Sequence, residues 1–465
     1  MVQCNNEGEI LKKNEIYITE VVDNGMDLEG ICKIDNIPVF VPGLVSGEVA
    51  KIKIVKVNKS YAFGKVEEII EKSPYRVSPQ CKSYSKCGGC EGLHIDYTKL
   101  LDIKRNNAIN TLKKQNIAFD FSNVSIYGMG NPYNYRNKAQ YPVREKNGKL
   151  EIGMFSKRTH NLVDANACQI QDAKINDIVE IIYEVLTDAG FSGYNEETNT
   201  GDIRNILVRC GFYTNEIMLV FVVNSIELVK DKRWKKIVEK ICGKISDITS
   251  ICLNVNSEKT NVILTDNTVC IYGKDYITDY IGEFKFKIGV NSFFQVNTLQ
   301  AETLYNVLKD NLKLNGNEKL LDLYSGVGSI GIFLSKCVSQ VYGVEIVKQA
   351  VEMAKDNIKI NNISNVKYIA GDATEEITKL KSEGVKFDIV VVDPPRKGLD
   401  GAGVDTLKEI KAPKIGYVSC NVSTLARDLK LLTDTYDVKS INFVDMFPFT
   451  SHVECVAVMG IKEIL

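Results

Sequence analysis

Apolar residues change their spacing twice along this chain. From about Glu15 to about Ile70 they come in short alternating or apolar stretches: Ile16-Tyr-Ile-Thr-Glu-Val-Val22, Gly30-Ile-Cys-Lys-Ile34, Ile37-Pro-Val-Phe-Val41 and Val49 to Val57. Asp23-Asn-Gly25, Asp35-Asn36, Pro42-Gly43 and Ser46-Gly47 separate them as turns. Many short strands at close spacing predict a small, OB-like β-barrel. From about Asn131 to about Phe286, strand-like runs (Asn215 to Val223, Thr260 to Thr265) mix with amphipathic helical pieces such as Asp172 to Leu186, an α+β pattern. From about Ser292 onward, short apolar runs at Leu320 to Tyr324, Val341 to Glu345, Val366 to Ile369, Asp388 to Val392 and Lys414 to Ser419 alternate with helical segments such as Lys348 to Asn361. That alternation predicts a doubly wound, Rossmann-like α/β sheet. The expected organisation is a barrel over residues 8–72, a central domain over 73–288 and the doubly wound domain over 289–465.

Composition adds limits. A chain of 465 residues exceeds one ordinary core. Its 44% hydrophobic and 25% charged content suits a soluble globular protein. A formal net charge of −1 announces no polyanion partner, but between Arg76 and Lys149 thirteen Lys/Arg face five Asp/Glu. Such a stretch reads either as a phosphate-facing patch or as a solvated surface. In the stretch from Val49 to Val57, Lys51 and Lys53 share one face. A barrel tracking a nucleic-acid backbone presents such a face, as does a strand whose lysines resist aggregation. The barrel segment resembles a TRAM domain, a small RNA-binding barrel attached to RNA-modifying enzymes. The polar start, Met1 to Ile10, carries no signal peptide, and no apolar run is long enough to cross a bilayer. A cytoplasmic protein without a membrane partner is expected. Thirteen cysteines, an odd number, then read as thiols, metal ligands or nucleophiles rather than disulfides.

Gly326-x-Gly328-x-x-Gly331 follows an apolar strand and opens a helical run, Ile330 to Ser335. This spacing serves NAD, FAD and S-adenosylmethionine sites alike. Three acids favour S-adenosylmethionine. Asp322 precedes the loop, where a sulfonium with its amino-acid end is welcome and a pyrophosphate is not. Glu345 ends the next strand and can accept bonds from both ribose hydroxyls. Asp372 follows the third strand, placed for the adenine edge. A loop cap is the competing role for each. Asp393-Pro394-Pro395 stiffens a loop beyond the fourth strand and holds a carboxylate beside the methyl donor.

Downstream lie Cys420, in Val418-Ser-Cys-Asn421, and Glu454, in His452-Val-Glu454. A thiolate can add to carbon 6 of uracil and turn carbon 5 into a nucleophile; a carboxylate can then remove the carbon-5 proton. The polar neighbours Ser419, Asn421, Ser423 and Thr424 argue against a core position for Cys420. Cys32, Cys210, Cys242, Cys252, Cys270, Cys337 and Cys455 sit in apolar or strand-like contexts and read as packing residues. A further group, Cys81-x5-Cys87-Gly-Gly-Cys90 with the distant Cys168, offers four soft ligands. Iron–sulfur and zinc both suit such donors; three near plus one far favours a cluster over zinc's two close pairs. His94, nearby, reads as a surface or packing residue.

The motifs Ser292-Phe-Phe-Gln295-Val-Asn297, Asp322-Leu-Tyr-Ser-Gly-Val-Gly328, Asp393-Pro-Pro-Arg-Lys-Gly398, Val418-Ser-Cys-Asn421 and His452-Val-Glu454 resemble those of the RNA uracil-5-methyltransferases. The likeness includes the barrel and the cysteine group, which points to the bacterial 23S rRNA branch rather than the tRNA branch. It implies that Gln295, Tyr324, Glu345 and Asp393 contact S-adenosylmethionine, with Cys420 as nucleophile and Glu454 as proton acceptor. It also implies a [4Fe–4S] cluster on Cys81, Cys87, Cys90 and Cys168, in a structural role. Tyr135-Arg136-Asn-Lys138 is expected to line the path to the site, with Arg136 near the target nucleotide. The expected partner is RNA and the expected state a monomer. Rival readings are a tRNA uracil-5-methyltransferase, an amino-methyltransferase using the Asp-Pro-Pro loop, and a non-catalytic RNA-binding assembly factor.

Overall fold

The computed structural model describes residues 11–164 and 167–463; the polar start Met1 to Ile10 lies outside them. Two compact units divide the chain. One comprises Met1–Tyr84, Gly89–Asn110 and Phe449–Ser451, the other Ser85–Gly88, Thr111–Pro448 and His452–Leu465. No helix among the described residues is long and apolar enough to cross a membrane.

The larger unit contains the expected doubly wound sheet. Its eight strands lie in the order Val366–Ala370, Gln340–Glu345, Lys319–Leu323, Ile389–Val392, Lys414–Ser419, Glu454–Ile461, Tyr436–Val444 and Ile126–Tyr127. The first five are parallel. Glu454–Ile461 runs antiparallel between its two neighbours. Ile389–Val392, with all four residues buried, shows why such strands read as unbroken apolar runs: helices cover both faces. Strand order reverses beside Lys319–Leu323, and open α/β sheets bind ligands beyond the carboxyl ends of strands at such a switch.

A second, six-stranded sheet belongs to the same unit, in the order Thr268–Gly273, Ile248–Val255, Ile217–Val223, Ile203–Cys210, Lys138–Lys146 and Lys149–Ile152. Its two faces bury different partners. Ile206, Val208 and Phe221 pack with Ile175, Ile182, Trp234 and Ile241, contributed by the helices Ala173–Asp188 and Arg233–Lys244. The alternate residues Leu207, Met218, Val220 and Cys252 join the core that contains Leu304, Leu320 and Val391. The strand expected at Thr260 to Thr265 does not form; strand pairing begins at Thr268 instead. Its carbonyls are taken by side chains rather than by a ladder. Asn256 Nδ2 donates to Val262 and Ile263, Arg204 to Thr260, and Asn254 Nδ2 to Thr265.

The smaller unit contains a closed barrel of Ile16–Asn24, Gly30–Ile34, Ile37–Val41, Val49–Val57 and Ala62–Glu71. Ala50, Ile52 and Ile54 point inward, while Lys51 and Lys53 hold the opposite, half-exposed face as the alternation predicts. The fifth strand is hard to read because Gly64 interrupts its pattern; a Cβ there would lie 3.0 Å from Val41 and 3.3 Å from Val39. A fully buried acid, Glu48, fastens the barrel's turns. It accepts Val45 N–H at 2.8 Å and Arg76 Nη2 at 2.7 Å, and also bonds Arg76 Nε. Burial pushes its carboxyl up, but the Arg76 and Val45 donors outweigh this and hold it below the usual carboxylate range.

Glu48→Gln would strand the Arg76 guanidinium without its counter-ion, at about 3 kcal/mol. Hydrogen exchange at the barrel amides of Val39, Val41 and Ile52 should then quicken by about two orders of magnitude. The lowered carboxyl contributes stability above its unfolded value of about 4.3, which is lost as pH falls through the folded value. That acid sensitivity should shrink in the variant. Unchanged exchange would show that the pair does not hold the barrel.

Candidate active site

Three strand ends meet at one edge of the sheet. The antiparallel register sets Ser419 opposite Cys455, so Cys420 comes opposite Glu454, the first residue of its strand. On the other side, the parallel register aligns Val392 with Tyr417, and Asp393 leaves the sheet beside them. The site therefore sits at the carboxyl edge of the doubly wound sheet. Its electrostatics follow from crowding acids away from water. Burial pushes Glu454, 4% exposed, up to about 8, with Asp393 adding and Arg396 opposing. Burial pushes Asp393 up to about 7. Cys420, half-buried, is pushed up to about 11, first by burial and then by Glu454 and Asp393; Arg396 opposes again.

The loops that carry these groups are tied to each other. Asn421 caps the helix Val422–Leu432, accepting Ser423 N–H at 3.0 Å, and its Nδ2 donates to Arg396 O at 3.2 Å. The cysteine loop thus holds the Asp-Pro-Pro loop. Asp428, fully buried, accepts Leu399 N–H at 2.8 Å, Tyr417 O–H at 2.6 Å and Arg427 Nε at 2.8 Å. Sequence reasoning assigned Asp428 no role. The available signal was an acid three residues after Leu425, on the apolar face of its helix. Gly398 has φ 73°, and a Cβ there would come within 2.5 Å of Asp428.

The glycine loop serves packing as well as ligand approach. A Cβ on Gly328 (φ 83°) would lie 2.7 Å from the Tyr368 ring; one on Gly331 would meet the Tyr368 hydroxyl at 2.5 Å and Asp322 at 2.8 Å. Glu345 fixes the loop from the next strand: one oxygen accepts Gly326 N–H at 2.9 Å, the other Val347 N–H at 2.9 Å. Each oxygen keeps a lone pair for a ribose hydroxyl. Tyr324 adopts φ 61°, a strained value for a non-glycine residue. With Asp372, Ala373, Leu399 and Thr406 it lines a cavity of about 210 Å³. Asp372 also caps the helix Ala373–Ser382, but both cap bonds use one oxygen, at 2.9 and 3.3 Å. The cap and a ligand contact are therefore compatible.

Asp322 is 1% exposed, and one of its oxygens accepts Gly331 N–H at 3.0 Å. The other has no hydrogen-bond partner among the described residues. Burial pushes this carboxyl up to about 8 against the Gly331 bond, with Asp393 and Glu345 adding. An orphaned acid beside a second acid suits a cationic ligand, as the amino-acid end and sulfonium of S-adenosylmethionine require. Gln295 is buried, and its carbonyl accepts Asn137 Nδ2 at 3.0 Å. The Tyr135 hydroxyl donates to Pro448 O at 3.1 Å, and Arg136, next along, is half-buried.

Cys32, Cys210, Cys252 and Cys455 are buried as expected; Cys242, Cys270 and Cys337 are only half-buried. His94 is a packing residue, 3% exposed, with Nδ1 at 2.6 Å from the Tyr84 hydroxyl. Cys81, Cys87, Cys90 and Cys168 are all half-buried. Cys87 forms a backbone bridge with Ser156, and Cys168 exchanges two 3.2 Å bonds with the Asn176 side chain. Among the described residues, no three His, Cys, Asp or Glu side chains are grouped to hold a metal ion. The donor chemistry of the four thiols suits a soft metal centre.

Comparison with known proteins agrees with this geometry. The family described as tRNA (Uracil-5-)-methyltransferase matches residues 96–462, and the TRAM domain matches residues 13–66. An uncharacterized RNA methyltransferase of Clostridium acetobutylicum is 44% identical over 453 residues, 97% of this chain and 98% of its own. One of Clostridium tetani is 42% identical over 453 residues, 97% of each chain. The crystal structure of Pyrococcus abyssi tRNA (uracil-54, C5)-methyltransferase in complex with S-adenosyl-L-homocysteine matches with a TM-score of 0.76 and 27% identity. That match covers 95% of this chain and 99% of the other. With a TRAM barrel followed by a methyltransferase sheet, this chain belongs to the tRNA (uracil-5-)-methyltransferase family and is an S-adenosylmethionine-dependent RNA methyltransferase.

Proposed function

We propose that the protein methylates carbon 5 of a uridine in 23S rRNA through a covalent bond between Cys420 and the uracil ring. The observation that carries this reading is the register that sets Cys420 opposite Glu454, beside Asp393. An amino-methyltransferase has no use for that pair. The Cys420 thiol first loses its proton to solvent, and the thiolate adds to carbon 6. The electron pair of the 5,6 double bond moves into the carbonyl system as an enolate. Asp322 and Asp393 would hold S-adenosylmethionine, which would supply the methyl that carbon 5 takes up as the sulfur–methyl bond breaks, leaving as S-adenosyl-L-homocysteine; until then its positive charge would favour the ionised form of these acids. Glu454 then takes the carbon-5 proton. The freed electron pair re-forms the double bond and expels the Cys420 thiolate.

The choice of 23S rRNA rests on the barrel together with the four-cysteine group. A second reading, tRNA, is favoured by the likeness to the Pyrococcus abyssi tRNA (uracil-54, C5)-methyltransferase. The same proposal makes the protein a cytoplasmic monomer, with a domain order of 8–72, 73–288 and 289–465.

We also propose a structural [4Fe–4S] cluster on Cys81, Cys87, Cys90 and Cys168. Its support is a set of four half-buried thiols in the pattern that the sequence resemblance implies. No catalytic step passes through it.

Glu454→Gln should still permit addition and methyl transfer but not resolution, because a glutamine is a far weaker base. The variant should accumulate as a slow-migrating adduct with a 23S rRNA transcript on a denaturing gel, dependent on Cys420 and on methyl donor. Normal turnover without adduct would remove Glu454 from the mechanism; adduct with a tRNA transcript alone would shift the substrate. For the cluster, anaerobically purified protein should contain iron and sulfide, and Cys87→Ala or Cys90→Ala should bleach it. Stoichiometric zinc without sulfide would contradict the assignment.

A further inference from the structure

Lys138 and Arg209 are direct cross-strand partners in the six-stranded sheet. Their flanking residues Ala139, Val208 and Cys210 face the helices, and Leu207, two residues before Arg209, faces the other core. Both cations therefore lie on the face away from the helices. Like charges placed opposite each other destabilise a sheet pair, and here one of them is 2% exposed. Arg209 Nη2 donates to Ser292 O at 3.0 Å, but Nε and Nη1 have no hydrogen-bond partner among the described residues. Lys138, half-buried, makes no side-chain hydrogen bond or ion pair among the described residues. Arg136, two residues earlier and half-buried, is a third cation.

Among the described residues, no carboxylate pairs with these three cations. Burial alone pulls Arg209 down to about 10. Burial, then Arg209 and Arg136, pull Lys138 down to about 7. Buried guanidinium donors without acceptors are rare, because a lost hydrogen bond to a charged group is expensive. The group is also close in the chain to the active-site loops. Ser292 lies three residues before Gln295, and Asn137, between Arg136 and Lys138, bonds the Gln295 carbonyl.

We infer that Arg209, Lys138 and Arg136 form an oxyanion site that grips an RNA phosphodiester next to the uridine being modified. The inference rests on the proposed RNA reading and adds to it the point where the backbone is held. The same chemistry could take the carboxylate of the methyl donor. The geometry favours phosphate. None of the three cations is among the described residues that line the cavity between Tyr324 and Asp372.

The test is a binding measurement, independent of turnover. Fluorescein-labelled oligouridylate is titrated by anisotropy at several salt concentrations, and S-adenosyl-L-homocysteine by calorimetry. Lys138→Gln should weaken RNA binding roughly tenfold and reduce the salt slope by about 0.7, one phosphate contact on a single strand. Lys138→Arg should restore both. Arg209→Met should weaken RNA binding in the same way while raising the melting temperature, since it removes an unpaired buried charge. Affinity for S-adenosyl-L-homocysteine should stay unchanged throughout. Unaltered RNA affinity and slope in Lys138→Gln would overturn the inference even if Arg209→Met fails to fold. Loss of S-adenosyl-L-homocysteine affinity would overturn it in favour of the donor carboxylate. Neither result bears on whether carbon 5 is the methylated atom, which the adduct experiment decides.

Discussion

Asp322, Asp393 and Glu454 are acids held away from water at one edge of a sheet, and much of the second unit exists to keep them there. Burial pushes the three carboxyls up to about 8, 7 and 8. Tyr305 feels all of them: burial raises its hydroxyl first, then Asp393, Asp322 and Glu454, against the bond to Ser329. Such crowding favours the protonated acids, and a bound cation would draw them back towards ionisation. The glycine loop wrapped on Tyr368, the Glu345 bond to Gly326 and the Asp428 knot beneath Gly398 are the means by which the chain holds these acids in place. A sulfonium donor completes the charge balance. On the proposed mechanism, the same positive charge favours ionised Glu454, the form a base must have.

The opposite imbalance lies in the six-stranded sheet. Arg209 and Lys138 face each other without an acid, as Asp322 and Asp393 crowd without a base. On the proposed reading, the acids receive a cationic donor and the cations a polyanionic acceptor. Burial favours the neutral forms of both sets, the protonated acids and the unprotonated Lys138, and the charge of each ligand would favour the ionised forms.

Much of this was legible in the sequence because local pattern and global fold agree. Parallel strands covered on both faces read as apolar runs, and Lys414–Ser419 has the bounds the pattern predicts. Motif acids could be named because their context, glycine loop or strand end, restricts what they do. The pairing of Cys420 with Glu454 could be proposed from chemistry, but their adjacency depends on an antiparallel register that no local pattern encodes. The register between Lys138 and Arg209 was hidden for the same reason: seventy residues separate them, and each alone looks like a surface cation. Thr260 to Thr265 misled because β-branched residues mark strands only where the backbone is free to pair, and there buried amides claim the carbonyls. Asp428 was missed because its place on the apolar face of a helix marks a buried acid but does not name the three donors, two of them outside that helix, that give it a role.

The central claim is that Cys420 activates carbon 5 and Glu454 strips its proton. The most direct measurement uses RNA transcribed with uridine tritiated at carbon 5 and follows tritium released to water alongside methyl transferred. One tritium should be released for each methyl group incorporated, with neither event in Cys420→Ala. Methyl incorporation with all tritium retained in the RNA would mean that another atom is methylated, and would contradict the account.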